Sequence, residues 1–374
     1  METADKYNTP HDYSPVFPEL NLYKDTCCFI FTGCHPVYDF KLRTDENFLE
    51  QITEARDAGK HNIIFDCAAE GFHIGAIGRV HFIAEKAKLL YPDLNFFYLT
   101  GDLMGADTYK KVCQLRQLTP VLEMISCYFF EFQASKYYSA FSTEYIVRNR
   151  SKIYTCLNRR LQPHRIQLLE NLLMENLVNS DCYYSFYNSE CEDGGLTQLD
   201  TLSNIPNIKA NLEVVKTLKL NVDPIRTNPV DLRKDDIPLY DDVYFSVITE
   251  TLFYRDEMTP GGIFISEKTY KPFAMLHPFV MMGVPNTLSS LRDRGYKTFH
   301  PYIDESYDSI EDDNLRLEAV VAEIKRLSSQ TPEQWLVWCE NIKPIVEHNQ
   351  RNFYYGNSSY ICNVEDLITR LTVV

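Results

Sequence analysis

The sequence predicts an α/β fold built as two Rossmann-like halves facing each other across a cleft. Three observations predict it. Short apolar runs alternate with segments of helical period, the pattern of a parallel sheet covered by helices. This alternation runs through the first third of the chain and restarts near Lys152. The chain's 374 residues exceed one ordinary core and suit two domains of common size.

Residues up to about Tyr23 are polar and proline-bearing, which predicts a surface segment. The run 27–33 reads as a buried strand ending in a turn, and 46–58 as an amphipathic helix. A second strand is expected over 61–66, a helix over 75–90 closing at Tyr91-Pro92, and a third strand over 94–99. Thr100-Gly101-Asp102 then opens a helix through 107–114. The second cycle starts with a strand at 153–157, a helix at 165–177 and a strand at 182–186. A polar, proline-rich passage over 221–238 precedes apolar strands at 242–248, 262–265 and 277–282, with a buried helix expected after Phe273. Helices follow at 288–295 and 314–328, with a short strand starting at Thr298-Phe299 between them. Thr331-Pro332-Glu333-Gln334 starts a last helix, with a capping hydroxyl and proline at the first helical position. The boundary falls near 139–151, giving halves 1–145 and 146–374, the last helices packing back on the first half.

Composition narrows the function classes. The net charge of −15 disfavours a mainly electrostatic grip on nucleic acid, although a local basic cleft remains compatible with it. The 11 cysteines are odd in number and none has C-x-x-C spacing, so reduced buried thiols are expected rather than zinc or a disulfide framework. The acidic, polar start Met1-Glu2-Thr3-Ala4-Asp5 and the lack of any membrane-length apolar run predict a cytoplasmic protein with no membrane span. No fixed-period repeat is present.

Chemistry concentrates where strands end and helices begin, the place where open α/β sheets bind ligands. Asn158-Arg159-Arg160-Leu161-Gln162-Pro163-His164-Arg165 follows a strand and puts Arg165 in a helix's first turn. Cations there oppose the helix dipole, so a bound diphosphate would offset their cost; the plain alternative is a solvated basic loop. Glu250, in Thr249-Glu250-Thr251, follows another apolar strand and either hydrogen-bonds ligand hydroxyls, braces Lys268 or caps a helix. Ser266-Glu267-Lys268-Thr269-Tyr270-Lys271-Pro272 sets an acid beside a base at a helix start, able to hold a ribose diol and a diphosphate together, or to form a solvated ion pair. In the first half, Asp66, Glu70 and Asp102 all follow strands, with Glu70 favoured by the neighbouring Gly71 and His73; each also has a structural reading as a cap or salt bridge. His35 is a weaker candidate. Asp304-Glu305-Ser306-Tyr307-Asp308 reads as a structural turn rather than a metal cluster, and the aromatic series from Tyr128 to Phe141 reads as core rather than a sugar-stacking wall.

These motifs, together with His277-Pro278-Phe279 and the run from Leu288 through Asp308, carry a resemblance over roughly 151–308. The chain resembles a group of glycosyltransferase-like proteins of bacteriophages and large viruses. Its C-terminal half is similar to the family 10 fucosyltransferases, which have the GT-B fold. The resemblance implies that Arg165 and Lys268 hold a donor diphosphate and that Glu267 holds the ribose. Arg159, Glu250, Ser266 and Lys271 join them as candidate donor-binding residues. The residues after Lys268 depart from the fucosyltransferase pattern, which leaves the donor sugar and base open.

The expected activity is therefore metal-independent, inverting glycosyl transfer, the first half taking the acceptor and the second the nucleotide sugar. No Asp-x-Asp pair occurs, and no cofactor beyond the donor is expected. Asp66, Glu70 or Asp102 would serve as base. The acceptor is a glycan or a hydroxylated base of phage DNA, the latter guided by Lys110, Lys111, Arg116, Arg148 and Arg150. Two other classes share the scaffold: a nucleotide-sugar epimerase or phosphorylase, and a non-catalytic nucleotide-sugar-binding or virion protein.

Overall fold

The computed structural model describes residues 28–31, 44–68, 71, 74–137, 144–158, 162–185, 236–254, 262–356 and 367. They form two compact units: the described residues up to 133 with 262–264 and Leu367, and residues 134–254 with 265–356.

The first unit carries a parallel sheet of β1 (Cys28–Phe31), β2 (Asn62–Cys67), β3 (Asn95–Thr100) and β4 (Glu123–Ser126), in the order β1-β2-β3-β4. The connections contain α1 (Asp45–Asp57), α2 (Ile74–Leu90) and α3 (Gly105–Arg116). Each crossover steps one strand in the same direction, so the right-handed rule puts all three helices on one face. The core follows that rule: Phe48 and Ile52 of α1, Val80 and Ile83 of α2 and Tyr109 and Val112 of α3 pack with Phe31, Phe65 and Tyr98. The alternate strand residues Ile30, Ile64 and Leu99 face the other way and are covered by Phe129 and Leu367. Thr44 and Asn47 form a reciprocal cap that starts α1.

Helix α4 (Phe129–Tyr137) runs across the boundary between the units. The second unit holds β5 (Lys152–Leu157), α5 (Pro163–Met174), β6 (Cys182–Ser185), α6 (Ile237–Asp241), β7 (Val243–Thr249), α7 (Glu267–Ala274) and β8 (Phe279–Met282). Then come α8 (Thr287–Asp293), α9 (Asp313–Ser328) and α10 (Pro332–Arg351). Its strands are parallel in the order β6-β5-β7-β8. The chain steps outward from β5 to β6, then returns to the opposite side of β5 to lay down β7. Connections leaving β5 and β7 therefore diverge, which opens a crevice at their carboxyl ends. Strand β7 is buried along its whole length, as its apolar residues Val243, Tyr244, Phe245, Val247 and Ile248 require of a central strand. Trp335 of α10 stacks on Tyr244 of β7 at 4.1 Å. Helix α10 starts as the sequence predicts, with Thr331 and Gln334 in a reciprocal cap and Pro332 in its first turn.

Three local expectations need correction. Residues 262–265 form no strand of the second sheet; Phe264 makes a single antiparallel bridge to Asp102 in the first unit. Leu103 N donates to Ile263 O at 2.8 Å, and the Phe264 ring packs against Phe130. The apolar run is thus a strap over the end of β3. No strand forms at Thr298-Phe299 either, because Phe299 N is taken by the Glu305 carboxylate and Phe299 O accepts from Tyr302 N and Ile303 N in a turn. Strand β4 and helix α4 were not expected at all. Phe129, within the aromatic series read as core, is indeed buried.

The acidic run 304–308 is a structural turn. Asp308 accepts from Leu288 N at 2.9 Å and Ser289 N at 3.1 Å, capping α8, while Tyr307 Oη accepts from Met281 N. The seven described cysteines are all buried. Among the described residues no helix is long and apolar enough to cross a membrane, and no group of three or more His, Cys, Asp or Glu could hold a metal ion.

Candidate functional site

In the second unit the crevice at the ends of β5 and β7 gathers most of the residues singled out from the sequence. Gln162 precedes α5 in an extended conformation and Pro163 occupies its first turn, so Arg165 stands in that turn too. Arg165 is buried, and its Nη2 donates to Thr249 O at the end of β7, 3.3 Å away. Thr249 Oγ1 in turn bonds Asn158 Oδ1 at the end of β5. Helix α5 is thereby tied to both strand ends.

Glu250, the next residue, is 1% exposed and accepts four hydrogen bonds. Its Oε1 receives Ser266 N at 3.1 Å and Thr269 Oγ1 at 2.6 Å; its Oε2 receives Ser266 Oγ at 2.7 Å and Thr251 N at 3.2 Å. A buried carboxylate needs that many donors to offset its desolvation. Of the three roles the sequence allowed, the geometry is that of an anchor for the start of α7, where a negative charge also complements the helix dipole.

Ser266 is the N-cap of α7, its hydroxyl accepting from Lys268 N. Lys268 Nζ donates to Ser266 Oγ at 2.7 Å and Thr251 Oγ1 at 3.3 Å and lies 3.5 Å from Glu267 Oε1. Its side chain keeps 27% exposure, enough for the ammonium to meet solvent or a ligand. Burial raises the Glu267 pKa, but the charges of Lys268 and then Lys271 outweigh it, and the group ends below the usual carboxylate range. Glu267 is thus a firm anion suited to accept from hydroxyls.

His164, counted with the basic residues by sequence, is not one. Burial first, then the charge of Arg165, holds its pKa well below the usual value, with Lys268 adding to the effect and the Glu250 carbonyl opposing it. One neutral imidazole therefore feels both cations, one from α5 and one from α7. Arg159, Arg160 and Glu70, with His35 and His73, lie outside the described residues.

In the first unit Asp66 ends β2 and Asp102 follows β3. Asp66 is half-buried and accepts from Ala68 N at 3.1 Å; burial pushes its pKa up to about 6, against that hydrogen bond. Asp102 is wholly buried. Its Oδ1 accepts from Met104 N and Ile263 N, both at 2.9 Å, while Oδ2 has no hydrogen-bond partner. A Cβ added at Gly262 would sit 2.8 Å from that Oδ2, so the strap needs glycine there. Burial pushes Asp102 up to about 6, the two amides opposing it.

The sign of the linkage is fixed by that rise from 3.8. Between roughly pH 4 and 6 the folded chain retains a proton that the unfolded chain has released, so stability falls as pH rises through this window, by about 3 kcal/mol for Asp102. Asp102→Asn keeps the Oδ1 acceptor and removes the titration. The variant is expected to lose this part of the slope and to match or exceed the parent urea midpoint at pH 7.5; a lower midpoint there contradicts the assignment.

Two of the five residues proposed to guide DNA are already engaged. Arg148 and Arg150 both pair with Asp241, and Arg150 also lies 5.3 Å over the Tyr145 ring. Asn158, Thr249 and Thr269 stand inside the quoted motifs, but the sequence reading gave them no role of their own. Thr269, three positions after the cap Ser266, carried the one available signal, a hydroxyl on the first turn.

No protein-family model matches the chain, and no curated protein matches it in sequence.

Proposed function

We propose that the second unit binds the donor of a metal-independent, inverting glycosyltransferase of GT-B type, as the resemblance to viral glycosyltransferase-like proteins and family 10 fucosyltransferases implies. The observation that carries the reading is the pair Arg165 and Lys268, brought from two helices to the crevice between β5 and β7, where Arg165 donates to Thr249 O and Lys268 donates to Thr251 Oγ1, two residues further on. A nucleoside diphosphate leaving group gathers negative charge as the bond to the anomeric carbon breaks. A guanidinium and an ammonium fixed beforehand stabilise that charge without reorganising. Glu267 then accepts from the ribose hydroxyls, and Glu250 acts behind it by anchoring α7.

In the reaction the acceptor oxygen attacks the anomeric carbon, the carbon–oxygen bond to the diphosphate breaks with its electron pair, and a carboxylate takes the acceptor's proton. Among the described carboxylates Asp66 suits that role: it is partly open, and a pKa of about 6 matches a base working near neutrality. Asp102 is sealed beneath Gly262. A neutral glycan is favoured over DNA as acceptor by the net charge of −15 and by the engagement of Arg148 and Arg150 with Asp241.

A thermal-shift screen against GDP-, UDP-, CMP- and dTDP-sugars tests the donor half, because a ligand that binds only the folded state raises the melting temperature by mass action. One selective donor, consumed in the presence of a glycan acceptor, is the expected outcome. No shift and no turnover with any of the four classes rejects the reading. If Asp66→Asn, Glu70→Gln and Asp102→Asn all retain turnover, the base lies elsewhere.

A further inference from the structure

Phe253 belongs to no sequence motif, yet it is where three parts of the second unit meet. It is 2% exposed. The Arg316 guanidinium carbon lies 4.4 Å over its ring, and the His164 imidazole stacks with it at 5.6 Å and 21°. Arg316 also donates to Phe253 O at 2.6 Å and to Gly283 O at 3.1 Å, joining the loop after β7 to the loop after β8.

His164 Nε2 lies 3.0 Å from Glu250 O. A carbonyl only accepts, so Nε2 carries the hydrogen and the neutral tautomer is fixed. At the far end of the loop, Tyr254 Oη donates to Gln167 Oε1 of α5 at 2.6 Å. Residues 250–254 are therefore held at their first residue by His164, at Phe253 by Arg316 and at their last by Gln167.

We infer that Phe253 is a positioning residue for the phosphate-binding corner: its stack with His164 keeps the first turn of α5, with Arg165, in register with the Glu250 carboxylate that anchors α7 and Lys268. This rests on the donor-site reading above. The stack acts through packing and one hydrogen bond, since His164 carries no charge to transmit.

The test combines nitrogen-15 NMR of the imidazoles at pH 7 with calorimetric titration of GDP and UDP. It uses the full chain, Phe253→Leu and Phe253→Tyr. The parent is expected to show His164 as the Nε2–H tautomer. In Phe253→Leu that signal should move or broaden and nucleotide affinity should fall on the order of tenfold. Phe253→Tyr, which keeps a ring, should restore both. An unmoved His164 signal, or unchanged affinity in Phe253→Leu, overturns the inference. Should Phe253→Leu not fold, His164→Gln removes the stack from its other member, and unchanged affinity there overturns it equally. If the parent binds neither these nucleotides nor CMP or dTDP, the donor-site reading fails, and the NMR arm alone decides whether Phe253 sets the His164 geometry.

Discussion

Lys268→Met is expected to lower kcat/KM for nucleotide-sugar turnover by about 10²- to 10³-fold, some 3–4 kcal/mol of transition-state stabilisation, while the protein stays folded. The ammonium is the more exposed of the two cations at the crevice. Its bonds to Ser266 Oγ and Thr251 Oγ1 hold it on the cap of α7. Methionine keeps the apolar stem and deletes the charge. The same change removes the largest charge lowering the Glu267 pKa, so the acid limb of the pH profile should move upward in the variant. Turnover measured from pH 4 to 9 beside a thermal melt separates these effects; full activity with an unmoved acid limb would exclude Lys268 from the site.

Arg316→Met is expected to cost about 3–5 kcal/mol of folding stability, read as a lowered urea midpoint with an unchanged slope. Arg316 is 1% exposed and serves the carbonyls of Gly283, Phe253, Ile310 and Glu311 as well as the Asp313 carboxylate. Methionine fills much of the volume but satisfies none of these acceptors. Against a total stability of roughly 5–15 kcal/mol for a typical domain, the loss is large. A midpoint within experimental error of the parent would mean that water replaces the guanidinium at little cost.

Much of the fold was legible because apolar runs of strand length alternate with helical-period segments, and seven of the eight strands sit on such runs. The exception, Glu123-Met124-Ile125-Ser126, is an edge strand of four residues with polar ends, too short and mixed to stand out. The strap at Ile263 and Phe264 shows a different limit. Apolar character reports that a segment is buried, and here it is, but not which sheet receives it. At the crevice, Arg165 was legible because it closes a basic run that joins a strand to a helix. Glu250 was not, since an acid after a strand reads alike whether it meets a ligand or four internal donors. Phe253 was hidden among many aromatics; only the stacking geometry distinguishes it.

The core of the first unit has a consequence for biosynthesis. One face of its sheet is completed by Leu367, and the end of β3 is covered by the strap 262–264. The N-terminal half therefore remains unfinished on the ribosome until Leu367 has been added and has emerged. The two halves cannot mature one after the other as vectorial folding of independent domains would allow.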